Sequence, residues 1–134
     1  MELKIIGGGL AGCEAAWQLA KQGIIVDLYE MKPKKFSPAH KKDYFAELVC
    51  SNSLKASRIE NACGLLKEEM RLFDSLMMQA ADVSSVPAGG ALAVDRDIFS
   101  QEITKAIEED ENITLVREEI KEIPKDGVVI VAAG

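Results

Sequence analysis

Positive charge is what this 134-residue chain is short of: 16 Lys and Arg against 22 Asp and Glu leave a net charge of −6. That balance argues against a general nucleic-acid binder, whose affinity rests on neutralising phosphates. Histidine occurs once, and the 3 cysteines, Cys13, Cys50 and Cys63, form no CxxC and no zinc spacing. No metal site is expected from them. Long apolar runs are absent too, so no segment reaches the ~20 residues that span a bilayer. The N-terminus enters strand pattern almost at once, without the charged and apolar regions of a signal peptide. The expectation is a cytoplasmic chain with reduced thiols and no membrane partner. There is no internal repeat and no low-complexity segment. What remains is ordinary for a globular protein, with 48% hydrophobic and 28% charged residues in about one domain's length.

Against that plain background the first thirty residues stand out. Leu3–Ile6 is a short apolar run that stops at Gly7-Gly8-Gly9-Leu10-Ala11-Gly12. A helical pattern follows (Ala11, Ala15, Ala16, Leu19, Ala20) and ends at Lys21-Gln22-Gly23. A second apolar run, Ile24–Tyr29, closes on Glu30. Strand, glycine turn, helix, strand and acid are the parts of a dinucleotide site. Gly7 allows the tight turn, Gly9 lets the backbone approach a pyrophosphate, and Gly12 lets the helix pack closely on the strand. The helix N-terminus offers free N–H groups to the phosphates. Glu30, 18 residues after Gly12, is placed to accept hydrogen bonds from an adenosine ribose. A carboxylate there repels a 2′-phosphate, which favours FAD or NAD over NADP. A bare glycine turn without ligand is the bland alternative, and the flanking strand, helix and acid weigh against it.

Met31 to about Ala46 shows no periodicity. It carries Pro33, Pro38, His40 and five lysines, Lys32, Lys34, Lys35, Lys41 and Lys42. It reads as a loop, either solvated or a local positive patch. Glu47–Val49 leads to Cys50 and then a Ser51-Asn52-Ser53 turn. A thiol among such donors is a candidate nucleophile, although a lone cysteine is more often a small buried hydrophobe. From Asn61 to about Ala81 the spacing of Leu65, Leu66, Met70, Phe73, Leu76, Met77 and Ala80 predicts one helix with those residues in the core. Asn61 is its candidate N-cap, and Cys63 lies in its first turn. Val86–Gly90 is a turn, Ala91–Val94 a strand, and Asp95 caps a further helix bearing Ile98, Phe99, Ile103, Ala106 and Ile107. Ile113–Val116 reads as a strand, Glu118–Ile123 as a weak extra ribbon, and Val128–Ala133 as a buried strand. The pattern predicts an α/β, Rossmann-like fold with flanking helices and a parallel sheet ordered Ile113–Val116, Ile24–Tyr29, Leu3–Ile6, Val128–Ala132. The ligand crevice then opens at Gly7–Gly12.

Gly7–Ala20 with Leu28–Pro33 resembles two related bacterial tRNA-modifying flavoprotein families. Phe45–Leu54, Gly64–Met70 and Val86–Arg96 separate them. These blocks are similar to the FAD- and folate-dependent tRNA (uracil-5-)-methyltransferase family, TrmFO, and not to the relative that modifies the wobble uridine. The likeness runs from about Leu3 to Gly134. It implies FAD at Gly7, Gly8, Gly9, Leu10, Ala11 and Gly12 with Glu30 on the ribose. It also implies NAD(P)H and methylenetetrahydrofolate as co-substrates and a T-loop uridine of tRNA as the methylated partner. Cys50 matches the family's cysteine beside the flavin, as nucleophile or auxiliary thiol. Lys32 replaces an expected arginine and Lys41 an expected histidine. Family members continue beyond this point, so residues 1–134 are expected to be an FAD-binding N-terminal domain, truncated and inactive alone. Two other readings stay open: another FAD- or NAD-dependent oxidoreductase, and a non-catalytic dinucleotide-binding module.

Overall fold

The computed structural model describes residues 2–134. Four short strands, β1 (Leu3–Ile6), β2 (Val26–Tyr29), β6 (Ile113–Val116) and β7 (Val128–Val131), form a parallel sheet in the order β6-β2-β1-β7. This is the order that the apolar runs predict. In register, Leu3 lies beside Val26, which lies beside Ile113; Ile5 pairs with Leu28 on one side and Ile130 on the other. Alternation puts these residues on one face, against helices α1 (Leu10–Lys21) and α4 (Arg96–Glu109). Ile5, Ala16, Val26, Leu28, Phe99, Ile103 and Ile107 are fully enclosed there. Each large apolar side chain so buried contributes about 1.5–3 kcal/mol relative to exposure.

Helix α1 begins at Gly9 and ends where the Gly23 N–H returns to the Ala20 carbonyl at 2.8 Å, with Gly23 in the left-handed conformation. Helix α4 is capped as the sequence predicts: the Asp95 carboxylate accepts from the amides of Asp97 and Ile98, both at 3.0 Å. Beside this layer lies a small antiparallel sheet, ordered β3 (Ser53–Ala56), β5 (Ala91–Val94), β4 (Ser85–Val86). Of its strands only β5 was legible.

Several expectations need correction; one is the buried strand at Val128–Ala133, where β7 is an edge strand with Val128 and Val131 exposed. The single helix over Asn61–Ala81 is two, α2 (Ala62–Leu72) and α3 (Leu76–Ser84). Asp74 takes a left-handed φ of 56°, and the Ser75 hydroxyl accepts from Met78 N–H to start the second helix. Helix-ending chemistry thus overrides an unbroken apolar period. Leu65, Leu66 and Phe73, expected in the core, are exposed, while Met77 and Ala80 on α3 are buried. Glu118–Ile123 forms no ribbon and runs as irregular chain. Strand β2 also starts two residues late, because the Ile24 N–H is used in closing α1 on Leu19.

Candidate dinucleotide site

The sheet order reverses at β1: the chain passes through α1 to β2 on one side, whereas β7 joins on the other side after β6, and the crevice beside such a switch point lies at the strands' carboxyl ends. Gly7 sits there with φ 108°, and a Cβ on it would lie 2.3 Å from the Ala132 carbonyl oxygen. Only glycine fits between β1 and β7 at this point. A Cβ on Gly12 would approach the Gly7 carbonyl oxygen to 1.8 Å, so its absence is what lets α1 pack on the turn. Gly9 differs: a Cβ there would meet nothing within 4 Å. Gly9 is also the N-cap of α1 and supplies no side-chain acceptor, which leaves first-turn amides facing open space. That is a cradle for an anion.

Glu30 closes the same site from the end of β2. Its carboxylate is buried and accepts from Gly8 N–H at 3.0 Å and from Lys32 N–H at 2.9 Å. Two backbone bonds fix its direction, and a carboxylate keeps further acceptor capacity for hydroxyl groups. Gly7, Gly8, Gly9, Leu10, Ala11 and Glu30 together line a cleft of about 600 Å³. Gly12 stands behind it as packing. A second cleft of about 450 Å³ adjoins the first, sharing Glu47 and Val49 and bordered by Arg96 and Asp97 at the start of α4.

The three thiols have different surroundings. Cys50 is exposed, outside the residues that line the cleft, next in sequence to Val49, which does line it. Cys63 is half-buried. Cys13 is enclosed under the glycine turn, its thiol donating to the Gly8 carbonyl at 3.4 Å. Burial pushes that thiol up to about 12, and the nearby Glu30 charge adds to the effect.

Three of the five lysines in the loop are not free cations. Lys32 is buried, Lys35 pairs with Glu119, and Lys42 pairs with Asp97. Lys32, His40, Glu47 and the segments Glu118–Ile120 and Ala132–Gly134 line the cleft without having been singled out by spacing. Long sequence separation hides most of them; the quoted Leu28–Pro33 and Phe45–Leu54 blocks point near this wall. Among the described residues no group of three or more His, Cys, Asp and Glu is gathered as a metal would need, and no helix is long and apolar enough to cross a membrane.

The family model of glucose inhibited division protein A matches residues 2–133. The chain belongs to that family. Among curated relatives, methylenetetrahydrofolate--tRNA-(uracil-5-)-methyltransferase TrmFO of Acetivibrio thermocellus is 64% identical over 98% of this chain. The enzyme of the same name from Lactobacillus johnsonii is 64% identical over 97%. In both cases the chain spans only 30% of the relative's length. Among solved structures, GidA of Aquifex aeolicus (form I crystal) superposes with a TM-score of 0.72 at 19% identity, covering 93% of this chain and 21% of that one. PqsL of Pseudomonas aeruginosa, a probable FAD-dependent monooxygenase, gives 0.54 at 13%, covering 94% and 35%. These likenesses show the Rossmann-like α/β fold of the GidA-family chain.

Proposed function

We propose that residues 1–134 are the FAD-binding N-terminal domain of a tRNA (uracil-5-)-methyltransferase. The observation that carries this is the open Cβ position of Gly9, at an uncapped helix start, in one cleft with the fixed carboxylate of Glu30. The first-turn amides from Gly9 to Ala11 hold the pyrophosphate, and Glu30 accepts from the adenosine ribose. Gly7 and Gly12 supply the close packing that keeps both in place. Bound flavin supplies the redox and one-carbon chemistry by which methylenetetrahydrofolate and NAD(P)H yield a methyl group on C5 of a T-loop uridine. Cys50 is the thiol assigned to that chemistry, and its exposure next to a cleft-lining residue supports the assignment. Identity of 64% to two enzymes of this name supports the T-loop reaction over wobble-uridine modification. A cytoplasmic location accords with this reading.

Isothermal calorimetry tests the nucleotide site. FAD and ADP bind, and FMN, which lacks the adenosine half, does not; equal binding of FMN would overturn the assignment. The isolated chain, given FAD, NADH, methylenetetrahydrofolate and unmodified tRNA, forms no ribothymidine, because it spans only 30% of the length of the enzymes of that name. Small losses of near-attack geometry cost orders of magnitude in rate. Multiple-turnover product would refute that division of labour.

A further inference from the structure

The Lys32 side chain has no role in the site as described, and yet this lysine is only 3% exposed in the wall of the cleft. Its ammonium donates to the Tyr44 carbonyl at 2.5 Å and lies 3.6 Å from a Glu47 carboxylate oxygen. Its own amide holds Glu30, which holds Gly8, whose carbonyl in turn accepts from Ala46 N–H at 2.8 Å. The contacts close a ring: glycine turn, ribose acid, Lys32, and the segment Tyr44–Glu47. That segment is under constraint, because Ala46 has a left-handed φ of 50°. It is held from outside the ring as well. Phe45 N–H donates to Thr104 Oγ1 at 2.9 Å, Ser100 Oγ donates to the Ala46 carbonyl at 3.1 Å, and the Arg117 guanidinium lies 4.2 Å from the Phe45 ring centre.

A buried ammonium is costly unless paired, and here both of its protein partners belong to one segment. Glu47 and Val49 carry that segment along the cleft and into the neighbouring one. Glu30 and the glycine turn are the parts assigned to ribose and pyrophosphate, and the Glu47–Val49 wall, which continues into the second cleft, is assigned to the rest of a longer ligand. We propose that Lys32 is a positioning residue: it fixes this wall, so that the cleft distinguishes a full dinucleotide from its adenosine diphosphate half. The inference rests on the nucleotide reading above and adds a determinant of specificity to it.

The test compares Lys32→Met, Lys32→Arg and Glu47→Gln. In calorimetry the Met variant loses about tenfold in FAD affinity while ADP affinity stays within twofold, and Arg restores FAD binding to within threefold. Equal loss of ADP and FAD would reduce Lys32 to general support and overturn the proposal. In the free chain, hydrogen exchange followed by mass spectrometry shows at least tenfold faster exchange at the Ala46 and Glu47 amides in the Met variant, with Leu28 unchanged. Unaltered exchange would overturn it. Should the Met variant not fold, Glu47→Gln takes its place, with the same direction expected and the same result refuting. Failure of the wild-type chain to bind either nucleotide would strike the nucleotide reading, whereas the exchange rates judge the clamp separately.

Discussion

The glycine turn and helix α2 are built on opposite terms. At the turn each glycine answers to a named neighbour: Gly7 to Ala132, Gly12 to Gly7, Gly8 to Phe45 and Glu30. Only Gly9 faces empty space, and it faces the cleft. On α2 the usual polarity is reversed. Leu65, Leu66 and Leu72 face outward, with Phe73 just beyond the helix end. Lys67 points in and donates to the carbonyls of Ala56 and Cys63, both at 3.0 Å. One region therefore depends on steric exclusion, and the other on two hydrogen bonds and little apolar burial. The comparison teaches that tight local fit marks the candidate site, while a conspicuous apolar stripe marks no core.

The thiols give this contrast its largest expected effect. Cys13 lies under the turn with its thiol near 12, so at pH 8 roughly one in ten thousand is thiolate. Peptide mass spectrometry after iodoacetamide should show Cys50 alkylated at least several hundred times faster than Cys13, with half-buried Cys63 between them. Faster labelling at Cys63 than at Cys50 would remove Cys50 as the candidate reactive thiol. Next in size is Gly12→Ala. Its Cβ meets a backbone oxygen that cannot swing aside, so urea denaturation should show a loss of about 3 kcal/mol or more.

Gly9→Val separates binding from folding within the same turn. Gly9 has φ −79°, which any residue adopts, and its Cβ position is open. Stability should fall by no more than about 1 kcal/mol, since valine is a poorer N-cap than glycine, while FAD affinity falls about a hundredfold, or about 2.7 kcal/mol. Unchanged affinity would move the pyrophosphate elsewhere. That such a pair can be told apart shows what was legible in the chain. The turn, the acid at Glu30 and the four-strand order follow from local rules that act over a few residues. The wall of Lys32, Phe45 and Glu47 does not, because Ala46 meets Gly8 across a separation of 38 positions through backbone groups that carry no side-chain signature. Helix α2 misled for another reason: a helical period states that one face is apolar and is silent on which face packs.

Lys67→Met tests the reversed polarity directly. Lys67 is 7% exposed, and its inward ammonium supplies two hydrogen bonds that methionine cannot make. The expected cost is about 1–2 kcal/mol in chemical denaturation, since the Ala56 carbonyl is left without its donor. A gain in stability would show that the site prefers an apolar occupant and that the reversal is incidental.

The smallest effect is expected where the side chains look most like core. Leu72 is 82% exposed and Phe73 74%. Full burial of such side chains would contribute about 1.5–3 kcal/mol each, so the fraction covered here contributes about 0.5 kcal/mol or less. Serine at these positions costs a few tenths in helix propensity for Leu72, at the end of α2, and still less for Phe73, which only caps it. Leu72→Ser and Phe73→Ser should therefore each leave the unfolding free energy within about 0.5 kcal/mol of wild type. Leu28→Ala, in the sealed sheet face, should lose about 2–5 kcal/mol in the same experiment. The two results together fix the comparison, because they come from the same residue class on two elements of one chain. A loss of 2 kcal/mol or more at Phe73 would mean that the stripe is covered in solution, and the contrast between α2 and the glycine turn would then have to be drawn again.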